Sequence, residues 1–362
     1  MSGGTNLILV INPGSTSTKF AVFKNEEALF ERTVRHPPED FDGCAGIPDQ
    51  RGVRMRYITQ ALQEQGLSLE SLNAVVGRGG IVAPLTAGTY EINELLVDDL
   101  RGPKAAIHAA CLGGLIAYDL GRELGIPAYV VDPPVVDEFL PESRLSGIPQ
   151  CPRVSNFHAL NSRAVARLCA NDLGLPYDKA RIVVAHLGGG ISTSAHRYGK
   201  TIDATHGIAG EGPFTPERCG GVYGQDLVEM CFSGQHSKEQ ILAFMQREGG
   251  IKAYLGVNDM REVEKMVNDG HEQAKVVFTA MALQVAKAAA TMAVALECRV
   301  DAIALTGGIA YSEMFTNLVK KYIEPLAPVR VYPGELEMEA LAGGALRVLR
   351  GEEQPQTYAG WA

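Results

Sequence analysis

A duplicated α/β fold, two domains each built on a mixed sheet, is what this sequence predicts, and three observations carry the prediction. Short apolar runs rich in Ile, Val and Leu, bounded by Gly and Pro, have the length of buried strands. The opening stretch "LILVINPGSTSTKFAVF" (residues 7–23) reads strand, turn, strand, and that grammar recurs in "RIVVAHLGGGISTSAHRYGKTIDATHG" (residues 181–207). Both copies then continue alike, through a helical pattern into a buried strand that ends on a glycine pair.

In the first copy, residues 7–11 read as a buried strand and 20–23 as its partner. The turn between them is dense in hydroxyls and backbone donors. Such a bend can wrap an anion, since several N–H groups point one way and a lysine adds charge. On this stretch alone a plain hairpin with a solvated tip competes, because Gly, Ser and Thr are ordinary turn residues. Residues 53–65 have helical spacing and lead to the strand Ala74-Val75-Val76, which ends in Arg78-Gly79-Gly80. The proline-rich passage 126–152 reads as the crossing between domains. In the second copy His186 stands where the first has Asn12, and the long helix 272–298 leads to the strand 302–305, which ends in Thr306-Gly307-Gly308. A glycine pair directly after a buried strand lets a ligand approach the backbone at the carboxyl edge of an open sheet. Residues 337–349 have helical apolar spacing and are expected to pack back on the first domain. The expected domains are therefore 1–152 with 335–362, and 153–334. The last twelve residues, "GEEQPQTYAGWA", read as a loose tail.

Two near-motifs carry little weight. "SAHRYGKT" (194–201) ends like a phosphate-binding loop, but Ser194 stands where the first glycine is required and Gly199-Lys200 reads as a hairpin tip. "GIAGEG" (207–212) has its glycines in the wrong order for a dinucleotide fingerprint.

Composition narrows the classes. Of 362 residues, 46% are hydrophobic and 21% charged, an ordinary globular balance, and the net charge of −9 argues against a broad electrostatic hold on nucleic acid. Seven cysteines, odd in number and without a CxxC pair, indicate neither a disulfide framework nor a zinc ribbon and fit a reducing cytoplasm. The apolar tract 274–298 is interrupted by Lys275, Gln284 and Lys287, so it reads as a buried helix rather than a membrane span. No signal-peptide pattern opens the sequence, and the expected location is cytoplasmic.

The motifs "INPGSTSTKF", "FHALNSR", "HLGGGIST", "GPFTPERCGG", "NDMRE" and "LTGGI", in this order and across nearly the whole chain, resemble the acetokinase family. "INPGSTSTK", "VVDPPVVDE" and "GPFTPERCGG" look specifically like its butyrate kinase branch. The resemblance implies duplicated ribonuclease H-like (actin-like ATPase) domains with a cleft between them, ATP/ADP and Mg²⁺ as cofactors, a small carboxylate as substrate, and a homo-oligomer. By motif match, Asn12, Ser15, Ser17 and Lys19 belong to a first phosphate loop, and His186, Gly188, Gly189 and Gly190 to a second. Asp259, Arg261, Gly307, Gly308 and Ile309 match the nucleoside-binding segments. Arg78 and Arg218 match the two active-site arginines, His158 the histidine that donates to the transferring phosphoryl group, and Asp132 the essential carboxylate. Glu337 aligns best with the magnesium-linked glutamate, with Glu335 and Glu339 left open beside it and Asn12 and Asp132 as further metal candidates. Gly80, Ile107, Phe157 and Pro216 are placed around the acyl tail, with His108 nearby.

The residue chemistry agrees with that assignment. A carboxylic acid is already ionised at neutral pH, so phosphorylating it needs no strong base; the difficulty is bringing two anions together, which forked, permanently charged arginines ease. Where acetate-using relatives carry a valine this chain has Gly80, expected to open room for a longer acyl chain. Two extra buried methylenes amount to roughly 1.6 kcal/mol, on the order of fifteenfold in preference over acetate. Branched-chain isobutyrate and the shorter acetate and propionate are the nearest rival substrates. An actin- or Hsp70-like module that uses ATP to bind a protein, and a sugar kinase, are the rivals from other classes.

Overall fold

Residues 7–13 are apolar on both faces, so the strand they form has to be covered on both sides. It is β1 (Leu7–Pro13), central in the first of two units into which the chain divides: residues up to Asp137 with those from Leu336 onward, and Glu138–Glu335. The computed structural model describes residues 4–102, 108–208 and 210–361.

In the first unit β1 pairs antiparallel with β2 (Ser17–Lys24), which pairs with β3 (Glu27–Arg35). On its other side β1 runs parallel to β4 (Ala74–Gly77), followed outward by β6 (Ala128–Val131), the short β5 (Thr89–Glu91) and a final strand, Gln356–Thr357. The helices are α1 (Arg51–Glu64), α2 (Glu94–Arg101) and α3 (Cys111–Leu124). Gly113 lets α3 lie directly on the end of β4, because a Cβ there would come within 2.6 Å of the Arg78 nitrogen. The terminal helix Glu337–Leu349 packs on β1, β4 and β6.

The second unit repeats the plan. Its strands β7 (Arg181–Leu187), β8 (Ile191–Arg197) and β9 (Lys200–Ala204) form the same antiparallel meander, with β10 (Ala302–Gly307) and β11 (Val329–Pro333) parallel beside β7. The order β11–β10–β7–β8–β9 matches β6–β4–β1–β2–β3 element for element, so the duplication read from the sequence is real. Asn12 and His186 hold equivalent places, each the penultimate residue of its strand. The helices are α4 (Ala159–Asp172), α5 (Gly224–Phe232), α6 (Lys238–Gln246), α7 (Gly250–Leu255), α8 (Met260–Asn268), α9 (Glu272–Ala295) and α10 (Glu313–Ile323). The long apolar α9 is the core helix of this unit, with Phe278, Met281, Val285 and Met292 almost wholly buried. It ends earlier than the expected 298, because Glu297 and Cys298 turn to φ of 58° and 54°.

Two expectations are corrected. The boundary falls after Asp137 rather than at 152, because the proline-rich passage is tied to β9: the Thr201 amide donates to Glu138, Leu140 donates to the Ile202 carbonyl, and Ser143 bonds Asp203. The C-terminal residues are not a loose tail. Beyond the final strand, the Tyr358 ring is buried and its hydroxyl bonds both Asp99 and the Ala83 amide.

Candidate active site

In the second unit the glycine turn Gly188–Gly190 joins β7 to β8, closed by a bond from the Gly188 amide to the Gly190 carbonyl at 3.0 Å. Gly190 is glycine because of what lies against it. A Cβ there would overlap Arg218 Nη1 and lie 3.1 Å from its Cζ and 3.2 Å from His158 Cε1. His158 immediately precedes α4 without a side-chain capping bond, and its Nδ1 meets Ser192 Oγ at 2.8 Å. The same oxygen accepts the His158 backbone N–H at 3.3 Å. The His158 ring stacks on His186 at 3.8 Å. Buried Asn161 donates to His186 Nδ1 at 2.9 Å, which leaves the His186 proton on Nε2, 3.5 Å from Glu335. Arg218 donates to the Gly207 carbonyl at 2.6 Å, and its burial pulls it below the usual arginine range.

Thr215 fixes the loop that carries Arg218. Its hydroxyl donates to the Gly189 carbonyl and accepts the Arg218 amide, locking "TPER" to the glycine turn. Gly188 and Gly189 also line a cavity of about 640 Å³ together with Asp259, Arg261, Gly308 and Ile309. That volume suits a nucleoside-sized ligand. Pro216, expected at the acyl tail, is among the residues that line this cavity. Asp259 caps α8 and is gripped by Arg261 through two nitrogens, which holds its carboxyl down at about 2. Gly307, at φ 92°, packs on the Leu187 carbonyl rather than lining the cavity.

In the first unit Arg78, Asn12 and Glu337 meet. Glu337 opens the terminal helix with its side chain mostly buried, and its Oε2 accepts from Arg78 at 2.9 Å and from Asn12 Nδ2 at 2.8 Å. Of the three glutamates left open, Glu337 therefore joins the arginine, Glu335 lies beside His186, and Glu339 is exposed. Asp132 follows β6 at φ 39° and accepts the Gly88 amide at 2.8 Å. Ser15 and Ser17 sit on the β1–β2 turn, while the Lys19 ammonium pairs with Glu31 at 3.0 Å.

The residues expected at the acyl tail fall in both units. Phe157 is buried in the second unit, His108 is exposed in the first with its Nδ1 accepting the Ala110 amide, and Ile107 lies outside the described residues. Gly80 does not leave open volume. The space its side chain would take is filled by the Cys111 sulfur, with Cys111 Cβ only 3.2 Å away.

Sequence reasoning missed Asn161, Ser192 and Thr215. Asn161 had a signal, standing three residues after His158 and so on the same side of α4.

Residues 152–330 match the acetokinase family model. Among solved structures the chain is similar to an acetate kinase from Porphyromonas gingivalis at 20% identity and a TM-score of 0.80, covering 95% of this chain and 100% of that one. A propionate kinase from Francisella tularensis matches at 19% identity and 0.77 over 94% and 98% of the two chains. An acetate kinase from Entamoeba histolytica matches at 18% and 0.76 over the same shares. These likenesses give the fold, duplicated ribonuclease H-like domains. The family match falls on the segment that holds His158, His186, the glycine turn and Arg218.

Proposed function

We propose that the chain transfers the terminal phosphoryl group of ATP directly to butyrate, giving butyryl phosphate and ADP. The observation that most supports this is the convergence of His158 and Arg218 on Gly190, in the turn whose Gly188 and Gly189 line the nucleoside-sized cavity. A nucleotide seated there with its phosphates along the turn brings its terminal phosphoryl group to both donors. The His158 ring and the Arg218 fork then stabilise charge on the equatorial oxygens as the bond to the leaving oxygen lengthens. Arg78, held in place by Glu337 and Asn12, is the cation for the acceptor carboxylate, which attacks already ionised.

Mg²⁺ fits this reading in a limited way. Among the described residues no group of three His, Cys, Asp or Glu side chains could hold a metal alone. Mg²⁺ retained by substrate phosphates and water needs only one or two carboxylates. Both donors to Glu337 reach Oε2, so Oε1 is the oxygen to offer, while Asn12 Oδ1 faces Arg78 at 3.4 Å. Asp132 has one carboxylate oxygen committed to Gly88. Bound there, the ion would neutralise phosphate charge. A cytoplasmic location and a homo-oligomer belong to the same reading.

Butyrate rests on the branch-specific motifs, since the volume argument from Gly80 alone is gone. Acyl hydroxamate formation from ATP, Mg²⁺ and hydroxylamine, with acetate, propionate, butyrate, isobutyrate and hexanoate side by side, tests the proposal. A butyrate optimum supports it, while an optimum at isobutyrate, acetate or propionate replaces the substrate and keeps the reaction. No hydroxamate with any acid, despite ATP binding, overturns the reaction.

A further inference from the structure

Arg54 was singled out by no motif, yet among the described residues it is the largest fully buried side chain. It stands on α1 beneath the β1–β2 turn. Its Nη1 donates to the Gly14 carbonyl at 3.0 Å, the Ser17 carbonyl at 2.8 Å and Thr18 Oγ1 at 2.9 Å; its Nη2 donates to the Ser15 carbonyl at 3.1 Å and to Gln50 Oε1 at 2.9 Å. The remaining carbonyl of the turn, Thr16, accepts the His36 amide at 2.9 Å. Thr18 Oγ1 is braced in turn by His36 Nε2 at 2.8 Å, and Phe41 lies under the guanidinium.

Two consequences follow. All four carbonyls from Gly14 to Ser17 are drawn to the protein side, so the turn is fixed with its oxygens inward. The amides of exposed Ser15 and Thr16, for which no acceptor is found among the described residues, are left on the solvent side. That is the arrangement of a backbone anion nest. Moreover, every acceptor on Arg54 is neutral: among the described residues no carboxylate lies within ion-pair distance of it. A buried cation paired only with carbonyl, hydroxyl and amide oxygens is an unusual expense for a packing residue, and it leaves a net positive charge directly behind the turn.

We propose that Arg54 is a positioning residue for ATP, holding the Gly14–Ser17 turn as a nest for the polyphosphate and supplying uncompensated positive charge behind it. This rests on the reading of the turn as a phosphate loop. Titration calorimetry of the full chain with MgATP and with adenosine separates the two. The ratio of the affinities is the gain supplied by the phosphates, and adenosine affinity reports the cavity of the second unit alone. In Arg54→Lys, which keeps charge but loses the fork, the gain falls about tenfold or more while adenosine affinity stays within about twofold. Gln50→Ala, which frees one guanidinium bond and leaves the charge in place, loses the gain about threefold and carries the test should Arg54→Lys not fold. A thermal midpoint that drops while the gain is unchanged overturns the proposal and makes Arg54 a packing residue. No gain in the wild type removes the phosphate-loop reading itself.

Discussion

Replacing Gly190 by alanine separates catalysis from folding in this protein. Gly190 has no positive φ, so a methyl group is not refused by the backbone. Its obstacle is the far end of Arg218, whose Cζ would be 3.1 Å from the new Cβ and whose Nη1 would be nearer still. The guanidinium has to withdraw by an amount on the order of 1 Å, and a shift of that size in a positioned group costs roughly a hundredfold in rate, about 2.7 kcal/mol of transition-state stabilisation. The bond to the Gly207 carbonyl is strained in the same movement. A flexible arginine tip can move at little expense to the fold, so the loss of stability stays below about 1 kcal/mol. Steady-state kinetics with saturating ATP and butyrate, beside a thermal melt, reads both quantities. The expected result is kcat down about a hundredfold with a nearly unchanged thermal midpoint. A kcat within threefold of wild type would refute the placement of Arg218 at the transferring group. A midpoint that collapses with the activity would refute the claim that Gly190 is small for the site rather than for packing.

Three further outcomes are expected. Glu337→Gln removes the charge that holds Arg78, worth about 1–3 kcal/mol for a charge-assisted bond; the Mg²⁺ concentration for half-maximal activity should rise several-fold, and an unchanged Mg²⁺ dependence would take Glu337 out of the metal's surroundings. Gly80→Ala should destabilise the fold by about 1–3 kcal/mol through overpacking on Cys111, and Cys111→Ala in the same chain should recover most of it; additive effects in denaturant titrations would contradict the packing assignment. His36, His196 and His206 all titrate below the ordinary imidazole range because burial disfavours the charged ring, so below about pH 6.5 the unfolded chain binds protons that the folded chain refuses. Stability should therefore fall as pH drops from 7.5 to 5.5, and the slope of thermal midpoint against pH should flatten in His36→Gln; a midpoint independent of pH over that range would contradict it.

The sequence made the scaffold legible because a duplicated hydrophobic pattern is redundant. The alternation of 7–23 and 181–207, each followed by a helix and a Gly-ended strand, could be read twice, and the strand orders match accordingly. The glycine turn, His158 and Arg218 were legible through local motifs. What sequence could not supply was the identity of neighbours far along the chain. Gly80 faces Cys111 across 31 positions, Glu337 reaches Arg78 across 259, and neither distance leaves a periodic trace. Arg54 is the clearest case: within α1 it reads as one polar residue among several, and only the fold turns it inward. The comparison of the two hairpins then carries a step that neither half carries alone. The β7–β8 turn achieves its shape with three glycines and is lined by histidine rings that Asn161 and Ser192 contact. The β1–β2 turn has one glycine and keeps its shape by a buried cation. Where glycine is absent the backbone must be held from behind, and a guanidinium does this with charge of the sign that phosphates require. The same scaffold thus meets the same demand by two devices, and substitution should tell them apart: the second turn fails through added side-chain volume at Gly190, the first through lost donors at Arg54.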